Sequence, residues 1–449
     1  MHARPSPADR PADPSSDPLA DPLADPLADP LAASLAGTSV VFLSWRDTSN
    51  PEGGGAERYL EKMAAGLVAR GCEVTVFCAA HAAAPPEQVV DGVRFVRRGT
   101  KLSVYLEGMR ALRRGDLGDP DVVVDVQNGL PFFSRLVTRA PVVVLVHHVH
   151  REQWPVVYPG LVGRVGWWIE RRLAPRLYHR SQYVAVSRAT ARELRALGVR
   201  GPRVAVVHNG TDPWVPVDPG PSPRPLVAVV GRVVPHKQVE HAVDAVVALR
   251  EEVPGLHLSV VGSGWWEAQL AEHVAAVGAD DLVTLEGHVT EERKHEVYER
   301  AWVLALPSLK EGWGLVIGEA GMHATPTVAY RSAGGTQESV EDGDSGLLVD
   351  DQTAFTDALR SVLTDDALRE RLGEGARRVS RTYTWEAAQQ AFALVLLAAV
   401  EGRHVASQDP EVVADVRPRR SRARRGGTGA GPLARARRAL DARRGRRSR

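Results

Sequence analysis

The 449-residue sequence predicts an α/β protein built from two Rossmann-like, doubly wound domains that face each other across a cleft, with disordered tails at both ends. Three observations predict it. From residue 39 to about residue 400, short β-branched runs alternate with longer stretches of helical period, the pattern of parallel sheets covered on both faces. Glycines, cations and carboxylates gather just after several of those runs, where ligands meet such sheets. A stretch dense in proline and glycine, residues 212–225 (DPWVPVDPGPSPRP), divides the alternation into two sets and reads as a linker.

Composition narrows the class further. Hydrophobic residues make up 44% and charged residues 25% of the chain, the balance of a soluble globular protein with ample core. The formal net charge of +1 gives no whole-chain pull toward nucleic acid or a membrane. That sum conceals two opposed ends. The first 36 residues are of low complexity, with Asp17-Pro18-Leu19-Ala20 recurring at 21, 25 and 29. A proline every fourth residue removes backbone donors and blocks helix, so disorder is expected. This segment lacks the apolar centre of a secretory signal. From Arg417 to Arg449 the chain is arginine-rich with one acid, Asp441, and self-repulsion again predicts disorder. Cys72 and Cys78 read as small buried hydrophobes rather than a bridge or metal pair, which favours a reducing compartment. No apolar run approaches the ~18 residues that a membrane span needs.

Residues 39–44 (SVVFLS) have the length and branching of a buried parallel strand. Gly53-Gly54-Gly55 follows, then a helix over 56–69 with Leu60, Met63, Ala64, Leu67 and Val68 on one face. Gly71 stops it, and 73–77 is the next strand. Strands at 121–126, 141–147, 182–186 and 204–207 complete the first set. The stretch 161–177 is a helix in which Trp167, Trp168 and Ile169 join Arg171, Arg172 and Arg176. That pattern suits either a packed helix with solvated arginines or contact with a membrane surface. After the linker, strands at 226–230, 256–261, 283–286, 303–306, 327–329 and 347–349 alternate with helices at 239–251, 265–277, 291–300 and 316–324.

Chemistry concentrates at strand ends. Residues 311–319 (EGWGLVIGE) follow a strand and run into a helix. Glu311 lies in the loop and Glu319 in the helix. Gly312 and Gly314 stand where backbone must approach a ligand. The helix start at Leu315 offers free N–H groups and a positive dipole end, which suit a phosphate. Gly231, Arg232 and Lys237 (VVGRVVPHK) follow another strand; arginine chelates phosphate oxygens as a fork and lysine adds a compact charge. Gly262-Ser263-Gly264 begins like a dinucleotide fingerprint, but Glu267 takes the third glycine position, so it reads as a close turn beside a nucleotide. His288, between Gly287 and Val289, either meets a base or belongs to a plain turn. In the first half, Gly54 and Gly55 open a helix without the Gly-Lys-Ser/Thr of a P-loop. His147, His148 and His150 cluster past an apolar strand with no zinc-ligand spacing, so hydrogen bonding to a ligand is favoured over metal. Asp342-Gly343-Asp344 has the form of a metal-binding pair but stands in a turn.

Taken together, these stretches resemble family four of the retaining glycosyltransferases, which have the GT-B fold. The similarity covers residues 39–400, and NPEGGGAERY, VAVSRAT, VVHNGTD, VVGRVVPHK, VVGSG, EGWGLVIGE and SAGGTQESVEDGDSGLLV stand in the family's order. The resemblance implies transfer of a hexose-type sugar, with retention, from a nucleotide-diphosphate sugar to a glycan, lipid-linked or small-molecule acceptor. It implies that Glu311 contacts the donor sugar near its reacting carbon and that Glu319 binds the ribose hydroxyls. Arg232 and Lys237 would hold the diphosphate, assisted by the amides of Gly314 and Leu315. Gly54 and Gly55 would approach the donor across the cleft, and His147, or His148 one register on, would touch the sugar. Trp313 replaces the family's common phenylalanine, and Gln238 the glycine often found after the lysine.

The organisation implied is a disordered tail over 1–36, an N-terminal acceptor domain over 37–211, the linker over 212–225 and a C-terminal nucleotide-sugar domain over 226–384. A C-terminal helix over 385–402 would pack back on the N-terminal domain, and 403–449 would be a disordered arginine-rich tail. No cofactor and no metal are expected to be needed, because cations and a helix end can stabilise the leaving diphosphate. Expected partners are the donor, the acceptor and, through the arginine-rich tail, an anionic membrane surface, with no nucleic acid. The cytoplasm is the expected location, including the inner face of the membrane. Two other readings fit the same residues: a nucleotide-sugar epimerase of this architecture, and a non-catalytic nucleotide-sugar-binding partner.

Overall fold

Valine-rich runs without polar alternation are stable only where both faces are covered. The computed structural model, which describes residues 30–214, 220–408 and 413–417, puts them there. The first lobe opens with α1 (Pro30–Leu35), β1 (Ser39–Leu43), α2 (Gly55–Val68) and β2 (Glu73–Cys78). A hairpin of β3 (Glu87–Val90) and β4 (Val93–Arg97) follows, then α3 (Val104–Arg114), β5 (Val122–Val126) and β6 (Val142–Val146). Next come α4 (Gln153–Val157), α5 (Leu161–Trp168), a π-helical turn at Ile169–Leu173, α6 (Ala174–Leu177), β7 (Gln182–Ala185), α7 (Arg188–Ala196) and β8 (Val204–Val206). The eight strands run β3-β4-β2-β1-β5-β6-β7-β8, parallel except for the hairpin.

The second lobe repeats the scheme with β9 (Leu226–Val230), α8 (Val239–Leu249), β10 (His257–Val261), α9 (Glu267–Ala276), β11 (Val283–Gly287) and α10 (Glu291–Arg300). It continues through β12 (Val303–Leu306), α11 (Leu315–Met322), β13 (Thr327–Tyr330), α12 (Thr336–Ser339), β14 (Gly346–Val349), α13 (Gln352–Thr364) and α14 (Asp366–Thr382). Its six strands run β11-β10-β9-β12-β13-β14, all parallel. Both sheets start in the middle and wind outward in two directions. Strand order therefore reverses between β1 and β5, and again between β9 and β12. Loops leaving such neighbours diverge, which opens a crevice at the C-terminal strand ends.

The last long helix, α15 (Trp385–Val400), returns to the first lobe and packs on α2. Phe392 stacks on Phe42 with ring centroids 6.1 Å apart. Trp385, Phe392 and Leu396 share one core with Val40, Phe42 and Leu60. Burial of each of these three large side chains contributes roughly 1.5–3 kcal/mol, so α15 straps the two halves of the chain together.

Three sequence expectations need correction. Residues 30–35 of the expected N-terminal tail form α1, because Pro30 sits at the first helical position, where its missing N–H costs nothing. Leu35 is then buried, and its carbonyl accepts from the Cys72 thiol. Residues 404–408 of the expected C-terminal tail form β15 (His404–Gln408), paired with β16 (Val413–Arg417). The buried Gln182 amide fixes β15 by donating to the Val405 carbonyl and accepting from its N–H, each at 2.9 Å. The expected helix 161–177 is interrupted by its π turn, which swings Glu170 into the interior. The Asp-Pro-Leu-Ala repeats before residue 30 and the arginines after 417 lie outside the described residues. The expected linker is pinned at both described ends: Asp212 pairs with Arg58 at 2.7 Å and Lys62 at 2.5 Å, and the Ser222 carbonyl accepts from the Trp302 indole.

Candidate active site between the lobes

The crevices of the two sheets meet in one cleft of about 1150 Å³. Gly231, Arg232, Lys237, Gly262, His288, Glu311, Gly314, Leu315 and Glu319 line it from the second lobe, and Gly54, Gly55 and His147 from the first. The strand reversal explains the convergence. Arg232 and Lys237 leave β9, Glu311 leaves its neighbour β12, Gly54 and Gly55 follow β1, and His147 follows β6.

On the second-lobe wall the Lys237 ammonium donates to Glu311 Oε1 at 2.5 Å, with Glu311 largely buried. Lys237 ends a short 3-10 turn closed by Gln238, which holds φ 49, a left-handed conformation that explains why glycine suits that position. Arg232 keeps an accessible surface inside the cleft, while the crowding walls and then Arg46 press its pKa downward. Gly262 packs directly on the preceding loop: a Cβ there would lie 2.0 Å from the Gly231 carbonyl oxygen, so only glycine fits. Helix α11 begins after Gly314, and Gly314, Leu315 and Val316 line the cleft, so a helix N-terminus, the end that attracts anions, lies in its wall. Glu319, one turn on, accepts from the Tyr298 hydroxyl at 2.9 Å and pairs with Lys294 at 3.3 Å. His288 is exposed at the mouth.

Across the cleft, His147 has a buried Nε2 with no hydrogen-bond partner among the described residues, and its ring meets Tyr59 edge-on at 5.3 Å. Burial holds its pKa down to about 4, so the ring is neutral at physiological pH. His148 is neutral for the same reason, with its Nε2 tied to Gln153 Oε1 at 2.8 Å, and both histidines line the cleft. The third histidine, His150, is spent on Glu170 and Asn128. Asp342 is occupied by Arg331 and the Leu348 amide, and Asp344 by Arg378. Among the described residues no group of three or more His, Cys, Asp or Glu side chains is placed to hold a metal. No helix among them is long and apolar enough to cross a membrane.

The lobes touch intimately around this cleft. A Cβ on Gly312 would lie 2.4 Å from the His147 carbonyl oxygen, so glycine permits the approach. Glu338 of α12 accepts from the first two amides of α7, at 2.8 Å from Arg188 and 2.9 Å from Ala189, and from His208 at 3.2 Å. Burial alone would raise its pKa; the His208 bond and the two amides outweigh that and lower it. Lys310 pairs with Glu193 and Arg58 with Glu291, again between lobes. Trp313 is buried against His208 and Tyr383, with centroids 4.8 and 4.7 Å away.

Sequence reading missed several of these groups. Arg46 is buried in the cleft wall, bonded to Glu57 at 3.3 Å, and it follows a strand just as Arg232 does. Lys294 and Tyr298 stand one helical turn apart on α10, so their spacing places them on one face. Glu338 stands within SAGGTQESVEDGDSGLLV, but nothing in that stretch marks its partners, which come from residues some 130 to 150 positions earlier.

A cation pair, a helix N-terminus and two carboxylates around one crevice can bind a diphosphate, a hydroxylated ring and a sugar together. Comparison with known proteins agrees. Residues 53–214 match the family described as Glycosyltransferase Family 4, and residues 215–379 match Glycosyl transferases group 1. Among curated proteins, the chain is 30% identical over 414 residues to a D-inositol 3-phosphate glycosyltransferase of Xylanimonas cellulosilytica, covering 78% of this chain and 93% of that one. A protein of the same name from Nocardioides sp. is 35% identical over 211 residues; there the match spans 41% of this chain and about half, 46%, of the relative. Among solved structures, sucrose-phosphate synthase from Thermosynechococcus elongatus shares the fold with a TM-score of 0.67 at 20% identity, over 80% of this chain and 98% of that one. Anabaena HepE, solved in complex with UDP-glucose, gives 0.62 at 18% identity, over 80% and 99%.

Proposed function

Since this chain belongs to glycosyltransferase family 4 and is a GT-B glycosyltransferase, we propose that it moves a hexose, with retention of anomeric configuration, from a nucleotide-diphosphate sugar to a hydroxyl-bearing acceptor held between the lobes. The observation that carries the reading is the meeting of Arg232, Lys237 and the α11 N-terminus with Glu311 and Glu319 in one cleft. Breaking the sugar–phosphate bond builds positive character on the sugar and negative charge on the departing diphosphate. Preorganised cations and amides at the leaving oxygens stabilise that charge as it develops. Arg232, Lys237 and the first amides of α11 fill this role without a metal. Glu319, oriented by Tyr298 and Lys294, receives the ribose hydroxyls. Glu311 faces the sugar, and the neutral His147 donates or accepts one hydrogen bond from the acceptor side. Retention follows if the acceptor hydroxyl attacks on the face the diphosphate leaves, its proton passing to a departing phosphate oxygen.

The ligand of Anabaena HepE makes UDP-glucose the first donor to try. The name shared by the curated relatives makes a phosphorylated polyol a reasonable acceptor, beside glycans and lipid-linked acceptors. The arginine-rich segment after residue 417 would hold the protein at an anionic membrane surface, a reading that rests on its sequence alone. The test is a thermal-shift screen of UDP-, GDP- and ADP-sugars. The stabilising donor is then incubated with acceptor panels in EDTA, and the anomer of the product is read by NMR. A product of inverted configuration, or loss of turnover in EDTA, would refute the corresponding part. Donor conversion without acceptor would identify an epimerase. Binding without consumption would identify a non-catalytic protein.

A further inference from the structure

Helix α5 is built inside out. Its inward side is glycine: a Cβ on Gly166 would lie 2.3 Å from the Trp154 ring, and one on Gly163 would lie 2.1 Å from the Tyr158 carbonyl oxygen. Of its five large apolar side chains, Trp167 packs against the first-lobe core and four point to solvent instead, with Leu161 72%, Val162 64%, Val165 48% and Trp168 56% exposed. Leu161, Val165, Trp168 and Arg172 follow at spacings of four, three and four, which puts them on one stripe. A helix that spends its core side on glycine and its outer side on leucine, valine and tryptophan exposes apolar area without return in water alone.

The charges around this stripe have one sign. Arg164, Arg171, Arg172, Arg176 and Arg180 are all exposed. The only acid between residues 161 and 180 is Glu170, and the π turn has taken it inside. There it accepts from the Trp154 indole at 2.7 Å and from the His150 amide at 3.1 Å. No carboxylate of this segment is left at the surface to pair with the arginines.

We propose that the segment 161–180 docks this protein on an anionic lipid bilayer, with Leu161, Val165 and Trp168 entering the headgroup region and the arginines on lipid phosphates. Charge complementarity selects this occupant: one-signed guanidinium groups chelate phosphate oxygens, and tryptophan favours the membrane–water interface. The inner side of the same segment grips the loop 147–154, whose His147, His148 and Gln153 line the cleft. Docking therefore fixes the acceptor wall of the cleft relative to the bilayer. The docking does not depend on the sugar-transfer chemistry and is separate from any contribution of the tail.

The test is co-sedimentation of the full chain with phosphatidylcholine vesicles with and without phosphatidylglycerol. Three variants accompany it: Leu161→Ser with Trp168→Ser; Arg171→Gln with Arg172→Gln and Arg176→Gln; and a chain in which the arginines after residue 417 become glutamine. Wild type is expected to bind only the anionic vesicles and to be released by salt. The triple arginine variant, whose side chains are solvent-exposed and whose melting point should stay close to that of wild type, is expected to lose roughly fivefold in partitioning per arginine, about a hundredfold in all. The serine pair is expected to lose at least tenfold. The proposal is overturned if wild type ignores anionic vesicles, or if both helix variants bind as wild type does. Loss confined to the tail variant would overturn it too, as would a helix variant that changes the oligomeric mass while vesicle binding persists.

Discussion

Replacing Lys237 with alanine isolates the group on which the chemistry depends most. Its ammonium, in the loop after β9, lies 2.5 Å from Glu311 Oε1 and lines the same cleft as Arg232 and the α11 N-terminus. As a preorganised donor to the leaving diphosphate it is worth roughly 2.7–4 kcal/mol of transition-state stabilisation, a fall of about 10²–10³ in kcat. Its loss also deprives the largely buried Glu311 of a charge-assisted hydrogen bond, worth about 1.5–3 kcal/mol of stability. The two effects separate in a double-mutant cycle with Glu311→Gln. If Lys237 served only to hold Glu311, the double variant would be no slower than Glu311→Gln alone. The expectation is that Lys237→Ala slows turnover in both backgrounds while donor KM changes less. The assay is nucleotide-diphosphate release at saturating donor, with melting temperature measured in parallel. Turnover within about threefold of wild type in Lys237→Ala, with the fold intact, would refute the assignment of Lys237 to the leaving group.

Other substitutions probe the supports of the site. Tyr298→Phe removes the hydroxyl bonded to Glu319 and should raise donor KM roughly three- to tenfold with little change in kcat, as read in steady-state kinetics. Gly312→Ala forces a Cβ against the His147 carbonyl; the lobes should sit further apart, visible as a larger radius of gyration in solution scattering together with a fall in kcat. Gln182→Ala leaves the Val405 amide groups without their partners and should cost about 1–3 kcal/mol of stability in denaturant unfolding. Because burial depresses the pKa of His147 to about 4, an unfolded chain binds a proton there that the native protein refuses. Stability should therefore be full above about pH 6.5 and fall as pH drops toward 4, by up to about 3 kcal/mol from this residue, and His147→Asn should flatten the slope.

The alternation of apolar runs with helical stretches was readable in one dimension because burial on both faces of a parallel sheet leaves a continuous valine-rich signature, as in 122–126 and 142–146. Several cleft-lining residues were readable for a related reason. Doubly wound sheets bring ligands to the ends of their strands, so Arg232, Lys237, Glu311 and Gly54 announce themselves by following apolar runs. The amino-acid order alone therefore marked twelve of the fourteen strands of the two sheets and the strand-end groups Arg232, Lys237, Glu311 and Glu319, but neither the β3–β4 hairpin nor the strand order. It did not determine the Lys237–Glu311 contact, the Glu338 link between lobes, the Gln182 clasp on Val405 or the orientation of α5. Each of those depends on groups brought together from distant positions, or on which side of a helix finds room for a glycine, and neither quantity has a local period. Helix 161–177 is the sharpest case: its composition suited both a packed and a membrane-facing element, and only packing against Trp154 decided that glycine faces in and leucine faces out.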